Sequence, residues 1–289
     1  MRNLKSFMET ALEEAMQSLR QGNHGFGAVI VRDGAVVATA HDTEETDRDA
    51  TAHAEMNAIR KASALLGRDL SGCTLVATHE PCPMCATAIM WSGISALAFG
   101  YSIRDAIRQG RRRIDLPCET LFDKGGAPIE VTRGVLFDEC SLLYDRSVRE
   151  EIRRLRNATP EDLTRLDEAL TGKRLAWFAD RKQDYADGSP LDRAYRLLLD
   201  KFGVPSEEMP VVSRTDRSLV FHSGNFCPTL EACRILGLDT RQVCKQVNEH
   251  ATDQFIKQIH PGLSFSRNYA LLRPHAPYCE ESITLTEEP

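Results

Sequence analysis

The chain has 289 residues, more than a single hydrophobic core usually serves, so two domains are expected. With 42% hydrophobic and 27% charged residues it is no disordered chain, and no apolar run approaches the roughly 20 residues that cross a bilayer. A net charge of −6 argues against broad binding of nucleic acid, which needs basic surface to displace counterions. Nine cysteines, an odd number, follow an N-terminus (Met1-Arg2-Asn3-Leu4-Lys5) without a signal-peptide pattern. A cytoplasmic protein with thiols or metal ligands, rather than a disulfide framework, is expected.

Apolar residues at helical spacing from Leu4 to Leu19, stopped by Gly22, predict an N-terminal helix. Phe26–Val31 and Ala35–Ala40 are β-rich runs joined through Asp33-Gly34, a pair suited to a tight hairpin. After a polar loop, a helix is predicted from Thr51 to about Leu66, with His53 and Glu55 in its first turn. A short strand over Cys73–Thr78, a helix opening at Pro81 and ending near Gly93, and a strand over Ile94–Tyr101 complete the order α-β-β-α-β-α-β. That order implies an α/β protein, a three-layer α/β/α sandwich around a mixed sheet.

Composition turns heavily charged near Glu150, and Thr159-Pro160-Glu161-Asp162 reads as a capped helix start. The expected domains are 1–150, a charged helical linker over 151–174, and a smaller C-terminal α+β domain over 175–289. In the last, Ser189-Pro190 opens a helix closed by Gly203, Val211–Phe221 forms a hairpin, and Pro228–Ile259 forms two helices broken at Gly237.

The chemistry is concentrated in Thr51-Ala52-His53-Ala54-Glu55 and Glu80-Pro81-Cys82-Pro83-Met84-Cys85. One imidazole and two thiols are three ligands of the kind zinc prefers, and a fourth position left to water distinguishes a catalytic site from a structural one. Cys82 and Cys85, three apart at a helix start, project from one face where the positive helix end favours thiolates. Glu55, two residues after His53, is the expected general base: it takes a proton from water acidified by the metal, and the hydroxide attacks the ring carbon bearing the amine.

The H-x-E and P-C-x-x-C pattern resembles the signature of the cytidine deaminase superfamily. From Phe26 to about Asp105, including Phe26-Gly27-Ala28-Val29-Ile30-Val31 and Pro81-Cys82-Pro83-Met84-Cys85, the chain is most similar to bacterial guanine deaminases and then to tRNA adenosine deaminases. The resemblance implies a cytidine-deaminase-like sandwich, zinc on His53, Cys82 and Cys85, Glu55 as proton shuttle, and a homodimer. Substrate contacts are expected from Phe26, Asp42, Ala54, His79, and Asp105 or Asp115 in the loop after the last strand. Where relatives carry Asn, this chain has Asp42; a carboxylate only accepts hydrogen bonds, so the facing ring edge is expected to be rich in N–H donors.

Other signals have quieter readings. Arg111-Arg112-Arg113 reads as a solvated loop and Trp91 as core. Cys227, Cys233, Cys244 and Cys279 read as buried small hydrophobes, because no C-x-x-C pair accompanies them. Arg267-Asn268-Tyr269 with Arg273-Pro274-His275 offers cations to an anionic ligand. The function expected is hydrolytic deamination of a small amino-heterocycle. The alternatives are a deaminase of bases within tRNA or single-stranded nucleic acid, and a ligand-sensing module carried on a deaminase scaffold.

Overall fold

A computed structural model of the chain describes residues 2–286. Met1 and residues 287–289, counted above into the ends of the two domains, lie outside the described residues. The chain divides into two compact units, Met1–Glu150 and Glu151–Pro289.

The first unit opens with α1 (Arg2–Gln21), followed by the hairpin of β1 (Gly27–Arg32) and β2 (Ala35–His41). Asp33 and Gly34 both take positive φ, 52° and 76°, the geometry of a two-residue turn whose twist matches its strands. There follow α2 (Glu44–Asp47), α3 (Ala54–Leu66), β3 (Cys73–His79), α4 (Pro83–Trp91) and β4 (Ala96–Tyr101). The unit continues with α5 (Ile103–Arg108), α6 (Cys118–Gly125), β5 (Glu130–Arg133) and α7 (Phe137–Leu142), and α8 (Arg146–Leu155) runs across the boundary into the second unit. The sheet runs β2-β1-β3-β4-β5; β1 is antiparallel to both neighbours, and β3, β4 and β5 are parallel. It is therefore mixed, as expected.

Both faces of the sheet are covered. Ala28, Ile30, Leu75, Ala77, Leu97 and Phe99 point to one face and pack with Ala58 and Ala62 of α3, Ile89 of α4 and Phe122 of α6. Residues of opposite parity, beginning with Gly27, point to the other face, where α1 lies. There the helix comes so close that a Cβ on Gly27 would stand 1.9 Å from the Ala11 carbonyl oxygen and 2.7 Å from the Ala15 nitrogen. Buried alanines at Ala11 and Ala15 make that approach possible. The result is the three-layer α/β/α sandwich expected from the order of elements.

The second unit contains α9 (Pro160–Ala179), α10 (Pro190–Phe202), β6 (Val211–Arg214), β7 (Ser218–Ser223) and α11 (Pro228–Leu236). It continues through α12 (Thr240–Cys244), a π-helical stretch over Lys245–Glu249, α13 (His250–Ile256), β8 (Leu263–Arg267) and β9 (Cys279–Leu285). Its antiparallel sheet runs β6-β7-β9-β8. The segment 151–174, expected as a linker, is instead built into this unit. A capping box at Thr159 and Asp162 starts α9, and Asp167, Arg174 and Phe178 on that helix are buried; two of the charged residues there are thus used inside the fold. Among the described residues, no helix is long and apolar enough to cross a membrane.

Because main-chain atoms block the space beside Gly27, Gly27→Ala must push α1 off the sheet. We expect a loss of about 2–3 kcal/mol, read as a lowered urea midpoint with little change in the slope of the transition.

Candidate active site

Two helix starts converge in the first unit. His53 is the N-cap of α3 (φ −66°, ψ 155°) and Cys82 the N-cap of α4 (φ −64°, ψ 168°). Each helix begins two or three residues later than its sequence suggested. Before α3, Asp49 accepts hydrogen bonds from the backbone N–H and the hydroxyl of Thr51, a local turn that competes with helix. Extended backbone at both caps leaves the imidazole and the Cys82 thiol projecting from the helix ends, with Cys85 one turn into α4.

The ligand atoms of His53, Cys82 and Cys85 lie within 4.8 Å of one another. Nδ1 of His53 is 3.6 Å from the Cys82 sulfur and 3.5 Å from that of Cys85. Usual zinc–sulfur and zinc–nitrogen lengths at a tetrahedral angle give an N···S edge of about 3.6 Å, so this donor set fits zinc. The other ring nitrogen, Nε2, lies 3.5 Å from a Glu44 carboxylate oxygen, which holds the imidazole with Nδ1 toward the thiols. Hydrogen bonding from Cys85, aided by His53, draws the Cys82 thiol down to about 4, whereas Cys82 and burial push the Cys85 thiol up. The Cys82 partner raises His53 to about 9.

Glu55 is 6% exposed. Burial, reinforced by the charge of Cys82, pushes its carboxyl up to about 7. It lines, with His53 and Cys82, a cavity of about 310 Å³. Phe26 and His79 form another wall, edge to face with ring centroids 5.5 Å apart, and Tyr144 packs against both. His79 is 5% exposed. Its Nδ1 lies 2.8 Å from the Glu80 carbonyl oxygen, and its Nε2 is buried without a partner. A carbonyl can only accept, so Nδ1 carries the proton and Nε2 presents a lone pair. Burial holds the ring neutral, its pKa lowered to about 4.

The other expected contacts fall elsewhere. Asp42 has no exposed surface, accepts the backbone N–H of His24 at 3.1 Å, and is absent from the cavity wall. Ala54 places its methyl in the core beneath the sheet. Asp105 is engaged in starting α5, with Ser102, and in an ion pair with Arg108; Asp115 is exposed away from the cavity. Trp91, read as core, is 75% exposed. Sequence reasoning missed Glu44, Glu80, Tyr144 and Arg149, and read Arg111 and Arg113 as solvated although both line the cavity. Arg111 donates to the Tyr144 carbonyl, and the Arg113 guanidinium lies 5.5 Å from the centre of the Phe26 ring. Glu80 stands beside the P-C-x-x-C stretch, yet its partners, the N–H groups of Ile103 and Cys118 at 2.9 and 3.0 Å, are distant in sequence.

Residues 1–101 match the family model of the cytidine and deoxycytidylate deaminase zinc-binding region. Over 125 residues the chain is 40% identical to a guanine deaminase of Bacillus subtilis, covering 40% of this chain and 80% of the relative. Over 159 residues it is 35% identical to a tRNA-specific adenosine deaminase of the same organism, covering 55% of this chain and 96% of the relative. A solved structure of guanine deaminase from Bacillus subtilis aligns over 39% of this chain and 76% of its own, with 39% identity and a TM-score of 0.36. The chain belongs to the cytidine and deoxycytidylate deaminase family and carries its zinc-binding domain. It is a deaminase, a hydrolase acting on carbon–nitrogen bonds.

The buried neutral His79 ties stability of this unit to pH. An unfolded histidine binds its proton near 6.5, while the folded ring resists until about 4, so stability drains away as pH falls through that window. The loss from this group should reach about 3 kcal/mol by pH 4. Urea midpoints measured from pH 7 to 4 should fall less steeply in His79→Gln by that amount.

Proposed function

We propose that the first unit removes the exocyclic amino group of a small amino-heterocycle (a nucleobase, a nucleoside or a related ring) by hydrolysis, releasing ammonia. The observation that carries this reading is the three-donor cluster, with the Glu55 carboxyl beside it, on the wall of a cavity of about 310 Å³. His53, Cys82 and Cys85 would hold the zinc ion, which when bound supplies the Lewis acidity that brings the ionisation of water near 7.

Glu55 accepts a proton from the attacking water as its oxygen bonds to the ring carbon. It then returns protons to the ring nitrogen and to the departing amine, so that water and the C–NH₂ group become a carbonyl and ammonia. Phe26 supports the ring face. The acceptor role expected of Asp42 passes to the His79 Nε2 lone pair and the Glu44 carboxylate, both on the cavity wall, which favours a ring edge bearing N–H donors.

A second reading, deamination of a base within tRNA or single-stranded nucleic acid, is favoured by one observation: Arg111 and Arg113 stand on the cavity wall, where a phosphate next to the reacting base would lie.

Ammonia release should be measured on zinc-loaded protein with free bases, nucleosides, their monophosphates, aminopterins, amino-triazines and a tRNA substrate. Glu55→Gln should lower turnover by about 10²–10⁴-fold while keeping its zinc; full turnover in that variant would sink the proposed chemistry. Cys82→Ala should lose both zinc and activity. Arg113→Ala separates the two readings: KM for free bases should hold, whereas a tenfold or greater rise with phosphate-bearing or tRNA substrates alone would favour the second.

A further inference from the structure

The second unit encloses a cavity of about 200 Å³ whose charged lining consists of Arg174, Arg267, Arg273 and Glu281. Three cations face one carboxylate, and that carboxylate is already fully engaged. Glu281 accepts from Arg267 Nε at 2.6 Å with one oxygen and from the Ser223 hydroxyl at 2.6 Å with the other.

The remaining donors lack acidic partners. Arg267 has a side chain 10% exposed, and its Nη1 is buried with no hydrogen-bond partner. Arg273 gives Nη1 to the Gly224 carbonyl oxygen at 3.0 Å, while its Nε is likewise buried and unpartnered. Arg174, 4% exposed, donates to the Thr252 hydroxyl at 2.9 Å and to the carbonyl and side-chain oxygens of Asn248 at 3.4 Å. Among the described residues it makes no ion pair. The nearby carboxylate of Asp167 is taken up by His250 and the Ala251 N–H. Burial and the charge of Arg267 draw the Arg174 guanidinium down to about 10.

A buried cation without a counterion is costly, and a buried guanidinium N–H without an acceptor adds to that cost. Arg174 without an ion pair, and the unpartnered N–H groups of Arg267 and Arg273, face one open space; that arrangement has the makings of an oxyanion receptor, because the planar forks of arginine match carboxylate and phosphate oxygens. Beyond the cationic part, the lining combines apolar Phe202, Met209, Phe226 and Leu272 with the polar Ser223, Asn225, Thr229 and Asn248. We propose that this cavity binds a small organic anion, its carboxylate or phosphate head on Arg174, Arg267 and Arg273 and its body against the apolar wall. The site lies wholly within the second unit and is distinct from the deaminase cavity.

Isothermal titration calorimetry of the full chain at low salt, using inorganic phosphate, methyl phosphate and a series of two- to five-carbon monocarboxylates, tests this. Saturable binding with at least one probe is expected. It should weaken at least tenfold in Arg273→Gln, and also in Arg273→Lys, which keeps the charge but loses the fork and guards against a folding defect in the first variant. Preference for the phosphates or the carboxylates would identify the head group. No saturable binding by any probe would overturn the proposal. So would binding that survives both Arg273 variants and disappears in Arg113→Gln, since the anion would then sit in the deaminase cavity.

Discussion

The catalytic half depends on two helices beginning at one place. His53 and Cys82 are both N-cap residues, so neither side chain is committed to a helix flank, and both helix ends direct their partial positive charge at the cluster. That field favours the thiolate a metal needs. The meeting point is set by the sheet: α3 and α4 pack on one face, β3 leads directly toward Cys82, and the close seat of α1 at Gly27 holds β1 from the other side. A helix start displaced by one residue would turn a donor about 100° away.

Above the cluster, the cavity wall divides its labour. Glu44 and neutral His79 offer acceptors, the aromatic rings of Phe26 and Tyr144 offer flat apolar surface, and arginines complete the enclosure. Arg111 and Arg149 are anchored on main-chain carbonyls, those of Tyr144 and His24 respectively.

Local signals in the sequence were the readable ones. The Asp33-Gly34 turn, the Gly203 and Gly237 helix stops and the Thr159 capping box all depend on neighbours in sequence, and each stands where it was expected. His53, Cys82 and Cys85 also come together as the two motifs implied. What could not be read was decided by remote partners. Asp42 looked like a substrate contact, but it is buried off the cavity wall with one oxygen on the His24 N–H; Arg111 looked solvated until the Tyr144 carbonyl gave it a place. Trp91 sits in α4, whose apolar residues surround the helix and so carry no information about which side is buried. In the second unit β8 reads Leu-Ser-Phe-Ser-Arg, a period-two alternation matched by its burial, but too short to stand out before its pairing with β9 is seen.

Glu80 clasps both ends of the stretch between Ile103 and Cys118, one backbone N–H to each carboxylate oxygen. The intervening chain, which supplies Arg111, Arg113 and Ile114 to the cavity, is thus a loop tied off at its base. Its sequence and length can drift while the knot, two residues from the Cys82 ligand, stays tied. An ancestral scaffold could in this way exchange one substrate for another by rewriting some fifteen residues, roughly the interval between the two anchors and a length at which closure entropy changes little with each insertion, with the reaction centre left untouched.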